Sequence, residues 1–268
     1  MLLFNRKVEI LTESKYLLSN KNGVDIKFKY TTMDSTGIPI CEVTISNLDR
    51  KARDLIKNEK ASLSIGIGEL YGELVFGDIK DIDLSEEPEI SFKIISNGLK
   101  FNQTFSKYYD KNTREGYILR DICKFSLIKI EGTEPLDNFV RPNGISVSGN
   151  ILSTISSIAN NRGYGVTTRG EMIVLYKIAT DKIEGLKDIL LNPTSGLINC
   201  VKYKNEDSEN QDYSKYDYIV KSLPIPGLAQ GDLIKVEHDN FNGIVQIVDY
   251  VIYGKKNWNA EYYVKVVG

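Results

Sequence analysis

The sequence predicts a mainly β chain with an α+β insertion in its middle. Three observations carry this. Apolar and polar residues alternate with a period of two through the first and last thirds of the chain. The middle third changes to helical spacing at two places. Gly, Pro and Asn-Gly punctuation separates the segments at short intervals. The expected organisation is a β domain with one short helix over residues 1–111, an α+β insertion over 112–177 and a second β domain over 178–268.

The elements follow in order. Ile26, Phe28 and Tyr30 alternate with Asp25, Lys27 and Lys29, and Cys41, Val43 and Ile45 alternate with Glu42, Thr44 and Ser46. Leu63, Ile65 and Ile67 repeat the pattern, as do Ile90, Phe92 and Ile94. One buried face and one wet face mark antiparallel sheet. Between these strands, Asn47 can cap a short charged helix over residues 50–57, with Ala52, Leu55 and Ile56 on one side. In the insertion, Thr113 is placed to cap a helix running to about Leu127, with Ile118, Ile122 and Phe125 on its apolar side. Ser148 is placed to cap a second helix, with the stripe Ile151, Ile155, Ile158 and Ala159, and Gly163 to end it. Tyr164–Thr168 and Met172–Tyr176 flank Arg169-Gly170 as a hairpin. The last third reads as a polar surface segment over 204–218, a rigid Leu223-Pro224-Ile225-Pro226-Gly227 run, and strands around Ile234, Val245 and Val264. Asn242-Gly243 is the hairpin signal between the first two of those strands.

Composition narrows the function classes. The 268 residues are 41% hydrophobic and 26% charged, ordinary for a folded chain. With 34 basic and 36 acidic side chains there is no global charge case for nucleic acid or an anionic membrane. No segment approaches the ~18 consecutive apolar residues of a membrane span. The N-terminus, apolar only over Met1–Phe4, is not a signal peptide, so the chain is expected to be made in the cytoplasm and to leave it only as part of something larger. Cys41, Cys123 and Cys200 are widely spaced and odd in number, which fits buried thiols better than a disulfide framework or zinc site.

The motifs that could carry chemistry fail one by one. The single histidine, His238, has no GxSxG partner and reads as a turn residue at a strand end. Gly66, Gly68 and Gly72 miss the dinucleotide fingerprint by one residue and run on into strand, so they read as a hairpin or bulge. The acidic run Asp78, Asp81, Asp83, Glu86, Glu87 and Glu89 lacks calcium-loop spacing and reads as a solvated turn. No catalytic, cofactor-binding or metal-ligating set is expected. A β-rich carbohydrate- or surface-binding module is the alternative. It would need a row of exposed aromatics, for which Tyr213, Tyr216 and Tyr218 are the candidates. An enzyme, a glycosidase or peptidase of unfamiliar type, is the third reading.

The order of motifs points further. Phe28-Lys29-Tyr30, Cys41-Glu42-Val43-Thr44-Ile45-Ser46-Asn47-Leu48, a charged helix, Ala61–Ile65 and Leu74-Val75-Phe76-Gly77-Asp78-Ile79 follow one another. Pro142–Gly149 comes in the middle, and Leu223–Leu228, Gly231-Asp232, Gly243–Val248 and Trp258 come at the end. This succession resembles the baseplate hub proteins of phage-type tails, the torus-forming central hubs of contractile tails and R-type bacteriocins. The resemblance implies two tail-tube-like β-barrel domains flanking the small α+β domain, and a structural role without enzyme activity. It implies a homotrimeric ring that joins the six-fold tail tube to the three-fold central spike within a virion or tailocin-like contractile injection system. The implied partners are copies of the chain, the tail tube protein, the central spike protein and other baseplate proteins. Tape-measure protein or DNA would pass through the lumen, and the chain itself would insert in no membrane.

Overall fold

Each of the period-two segments becomes a strand in the computed structural model. It describes residues 6–32, 38–46, 48, 56, 59–84, 88–96, 101, 103–169, 172–178, 186–203, 216–254 and 258–267. In chain order the first strands are β1 (Arg6–Thr12), β2 (Leu17–Ser19), β3 (Asp25–Thr31), β4 (Ile40–Ser46), β5 (Lys60–Ile67), β6 (Leu70–Asp83) and β7 (Glu89–Ile95). The middle holds β8 (Thr104–Tyr109), β9 (Thr113–Arg114), α1 (Glu115–Phe125), β10 (Lys129–Glu131), β11 (Val140–Arg141), β12 (Ile145–Asn150), α2 (Ile151–Asn160), β13 (Tyr164–Arg169) and β14 (Met172–Lys177). The last are β15 (Leu186–Leu191), β16 (Leu197–Lys202), β17 (Tyr218–Ser222), β18 (Leu233–His238), β19 (Phe241–Gly254) and β20 (Trp258–Val267). The chain is mainly β and divides into two compact units: Met1–Met33, Pro39–Ile95 and Ala179–Gly268 form one, Asp34–Ile38 and Ser96–Ile178 the other.

The first unit is one 13-stranded sheet. Its order is β16-β17-β20-β19-β3-β4-β7-β6-β5-β1-β2, with β18 pairing both β15 and β19. Every pairing is antiparallel except β15 with β18. The alternation explains the register, because it stacks apolar residues in rows across neighbouring strands. Ile26 faces Ile45, which faces Ile90; Phe28 faces Val43, which faces Phe92; Tyr30 faces Cys41, which faces Ile94. All nine side chains are buried. Each such burial stabilises by about 1.5–3 kcal/mol relative to exposure. A one-residue slip would turn a whole row out to water. Buried residues from β1 through β20 belong to a single core cluster. A sheet this wide reaches one core only by twisting and curling.

Turns follow local chemistry. The Gly66–Gly72 run is the β5–β6 hairpin: Ile67 pairs with Leu70 across Gly68-Glu69, and Gly68 takes φ 62°. The left-handed conformation suits a two-residue loop and is cheap only for glycine. The β18–β19 hairpin corrects the sequence reading. It turns at Asp239-Asn240, and Asn242 and Gly243 lie inside β19 opposite Glu237 and Val236. Asn240 fixes the earlier turn by giving its N–H to His238 Nδ1 and its side-chain amide to Cys200 O. Asp78, Asp81 and Asp83 belong to β6 rather than to a turn. The expected helix over 50–57 lies outside the described residues except Ile56, which is buried.

In the second unit β8 pairs with β12, β9 with β11, and β10, β14 and β13 form a three-stranded sheet. The two expected helices are present, but neither expected cap holds. Thr113 sits in β9 with its hydroxyl on Asp110 O, and α1 begins after Arg114 without a side-chain cap. Asn150, not Ser148, caps α2: its Oδ1 accepts from the N–H groups of Leu152 and Ser153, because Ser148 is held in β12. Phe125 is exposed, and Ile118, Leu119, Ile122 and Cys123 form the buried side of α1. Glu115, in the first turn of α1, is completely buried. Arg162 grips it with Nε at 2.8 Å and Nη2 at 2.9 Å, and Arg141 Nε lies 2.6 Å from its Oε1. This carboxylate ties α1, β11 and the end of α2 together.

Candidate functional site

The histidine and the three cysteines singled out in the sequence have structural surroundings. His238 ends β18 and accepts a turn hydrogen bond. Cys41, Cys123 and Cys200 are free and buried. Burial raises the thiol pKa of each, that of Cys123 to about 12, so none is a ready nucleophile. Among the described residues no group of three or more His, Cys, Asp or Glu side chains could hold a metal ion, and no helix is long and apolar enough to cross a membrane. Two of the three tyrosines expected for an aromatic row are packed into the fold. Tyr216 is buried, and Tyr218 packs its ring 4.7 Å from that of Phe241; Tyr213 lies outside the described residues.

What the first unit offers is a seam and, among the described residues, three terminal strands, β2, β15 and β16. β19 is 14 residues long and takes β20 along one side. On its other side it pairs first with β18 and then, through Val251–Tyr253, with Lys29–Thr31 of β3. That short ladder joins the N-terminal strands to the C-terminal ones. A buried polar cluster locks it. Thr32 gives its N–H to Tyr250 O at 3.1 Å, and Tyr250 gives its N–H to Thr32 Oγ1 at 2.9 Å. Asp249, 3% exposed, accepts from Tyr216 OH at 2.6 Å, Gln230 Nε2 at 2.8 Å and Thr32 Oγ1 at 3.3 Å. A bulge at Val248 resets the β19–β20 register just before Asp249. Burial, and then the Asp249 carboxylate, raise the Tyr216 pKa far above the usual phenol range, so this hydroxyl stays a donor. The cluster is not legible in the sequence, since Asp249 lies among the apolar residues Ile247, Val248, Tyr250 and Val251 and its partners are up to 217 residues away. A lone acid in such a run was the available signal.

Two of these terminal strands, β2 and β16, lie where apolar side chains are exposed. At the β2 end Leu11 and Leu17 face each other across β1 and β2 and are 45% and 46% exposed. At the β16 end a bulge at Ile198 turns that side chain outward beside the exposed Val201. Strand edges with exposed apolar residues are templates for pairing with another chain.

This is the fold of phage tail proteins. A 43 kDa tail protein of prophage MuSo2 from Shewanella oneidensis shares it at TM-score 0.63 and 9% identity, over 98% of this chain and 97% of that one. A tail protein from Neisseria meningitidis MC58 shares it at TM-score 0.66 and 7% identity, over 98% and 97%. The c3393 protein of Escherichia coli, described as a component of the type VI secretion system with structural similarity to the phage T4 tail proteins gp27 and gp5, matches at TM-score 0.55 and 12% identity, over 99% and 75%. No family model and no curated protein matches the chain.

Proposed function

We propose that this chain is a structural subunit of a phage tail or phage-tail-like particle and occupies the hub: three copies form a ring that joins the six-fold tail tube to the three-fold central spike. The observation that carries the reading is the β3–β19 seam, which fuses two sets of strands into one sheet whose main path ends, among the described residues, in β2 and β16. Residues 1–111 and 178–268 are read as two tube-like domains, and 112–177 as the inserted one. Two tube-like domains per chain give six positions in a ring of three, the number a six-fold tube requires. The β2 end of one copy and the β16 end of the next are different surfaces, so their pairing is head to tail, the geometry that gives a ring when a three-fold rotation closes it. The tail tube protein, central spike protein and other baseplate proteins are the further partners, with tape-measure protein or DNA in the lumen. The subunit is made in the bacterial cytoplasm and ends in the assembled particle, working through surfaces rather than catalysis. Tail-protein folds along the whole chain support the assignment.

The test is mass by light scattering, with negative-stain images of the same fraction, alone and with the tube and spike proteins. A three-copy ring with an open centre is expected. Monomers that refuse to assemble with either partner would refute the hub.

A further inference from the structure

Where β19 stops at Gly254, β3 continues. Only Lys29–Thr31 of β3 pair with β19, whereas all of Asp25–Thr31 pairs with β4. Among the described residues, then, 25–28 have a strand on one side only. Thr32 directs its N–H to Tyr250 on the β19 side, and main-chain groups alternate sides along an antiparallel strand. The N–H and C=O of Ile26 therefore face away from β4. A cleft of about 870 Å3 runs here, and Ile26, Lys27, Arg6, Lys221, Trp258 and Glu261 are among its walls.

The cations of this cleft differ in kind. Lys27 Nζ is 3.0 Å from Glu89 Oε1, and Lys221 Nζ is 3.0 Å from Glu261 Oε1. Arg6 has no ion-pair partner among the described residues. Its guanidinium carbon lies 5.5 Å from the centre of the Trp258 ring, and its Nε is buried without an acceptor among the described residues. The indole N–H of Trp258 is likewise buried without one among the described residues, in a side chain 5% exposed. Buried donors lacking acceptors are costly, so an acceptor brought to them is favoured. Asp25 and Glu261 in the same walls oppose a run of negative charges such as nucleic acid carries and leave Arg6 as the place for a single carboxylate. The space far exceeds a single carboxylate and suits a short stretch of chain.

We infer that the cleft receives an extended acidic segment of another protein, which adds to the open edge of β3 and sets a carboxylate against Arg6. Main-chain hydrogen bonds to Ile26 give such a complex its affinity, and the Arg6 contact gives it its preference. The inference uses the cleft alone, so its failure and that of the hub reading are separable.

Trp258 is the sole tryptophan, so its emission reports the cleft directly. The full chain is titrated with a blocked Thr-Val-Glu-Val-Thr peptide, its Gln counterpart and succinate. A saturable emission change is expected with the Glu peptide, about tenfold weaker with the Gln peptide, and none with succinate at equal concentration. Arg6→Gln is expected to bring the Glu peptide down to the affinity of the Gln peptide. Independently of any variant, hydrogen exchange of the Ile26 amide is expected to slow when the Glu peptide binds. Equal affinity for both peptides, an equal response to succinate, no saturation by about 1 mM, or an unprotected Ile26 amide would overturn the proposal.

Discussion

Gly254→Ala is predicted to destabilise the first unit through one neighbour, Phe28. A Cβ at 254 would sit 2.6 Å from Phe28 Cζ and closer still to Cδ1 and Cε1, where ordinary contacts begin near 3.4 Å. Phe28 is 1% exposed and meets the Trp258 ring edge-on at 5.9 Å, so its ring must move by about 1 Å or more within a packed core. Overpacking of this kind costs about 1–3 kcal/mol. Alanine also makes the unfolded chain less free, which gives back about 0.4–1 kcal/mol. The net expectation is a loss of roughly 1–2 kcal/mol, by the same overpacking and entropy terms.

The assay is urea unfolding followed by Trp258 emission, which belongs to the first unit and reports it alone. The midpoint is expected to fall at unchanged slope. Phe28→Leu makes room at the cost of lost packing, and in its presence Gly254→Ala is expected to cost at least about 1 kcal/mol less than in the wild-type chain. Additivity of the two changes within about 0.5 kcal/mol would refute the argument, as would a neutral Gly254→Ala.

Other predictions test the remaining contacts. Tyr216→Phe takes the 2.6 Å donor from Asp249 and is expected to cost about 1–3 kcal/mol in the same unfolding assay. Glu115→Gln leaves Arg141 and Arg162 facing each other without their carboxylate, and should destabilise the second unit by about 3–5 kcal/mol, read by circular dichroism of the melt. Alkaline stability is set partly by Tyr30, whose pKa burial raises from 10.0 to about 12. The unfolded chain releases that proton first, so stability should fall as pH rises through this window, by up to about 1.4 kcal/mol per pH unit. A flat urea midpoint from pH 9 to 12 would contradict that reasoning. At the sheet ends, Leu17→Lys or Val201→Lys should leave the melting temperature within a few degrees while raising the concentration needed for assembly, measured by light scattering.

Much of the sheet was legible because burial on one face forces alternation, as at Ile26, Phe28 and Tyr30. The helices were legible from their stripes, Ile151 to Ala159 above all. Their starts were not. Thr113 and Ser148 have the right chemistry for caps, but strand pairing claims both backbones first, and Asn150, the last residue of β12, takes the capping role where strand gives way to helix. The β18–β19 turn was misplaced for a related reason: Asp239-Asn240 competes with Asn242-Gly243, and a contact to Cys200, 40 residues away, decides between them. The seam and the cleft were invisible in the sequence, since both depend on which strand lies beside β3. Spacing along the chain holds no such information.

The seam also sets a clock on synthesis. Thr32 and Asp249 are 217 residues apart. At about 5–20 residues per second, the β3 edge leaves the ribosome some 10 to 40 seconds before β19 exists to cover it. For that interval the nascent chain carries a bare strand beside apolar rows, a state prone to pairing with the wrong neighbour. Polysomes bring such edges close together. The yield of native subunit should therefore depend on translation speed and temperature more than its final stability would imply.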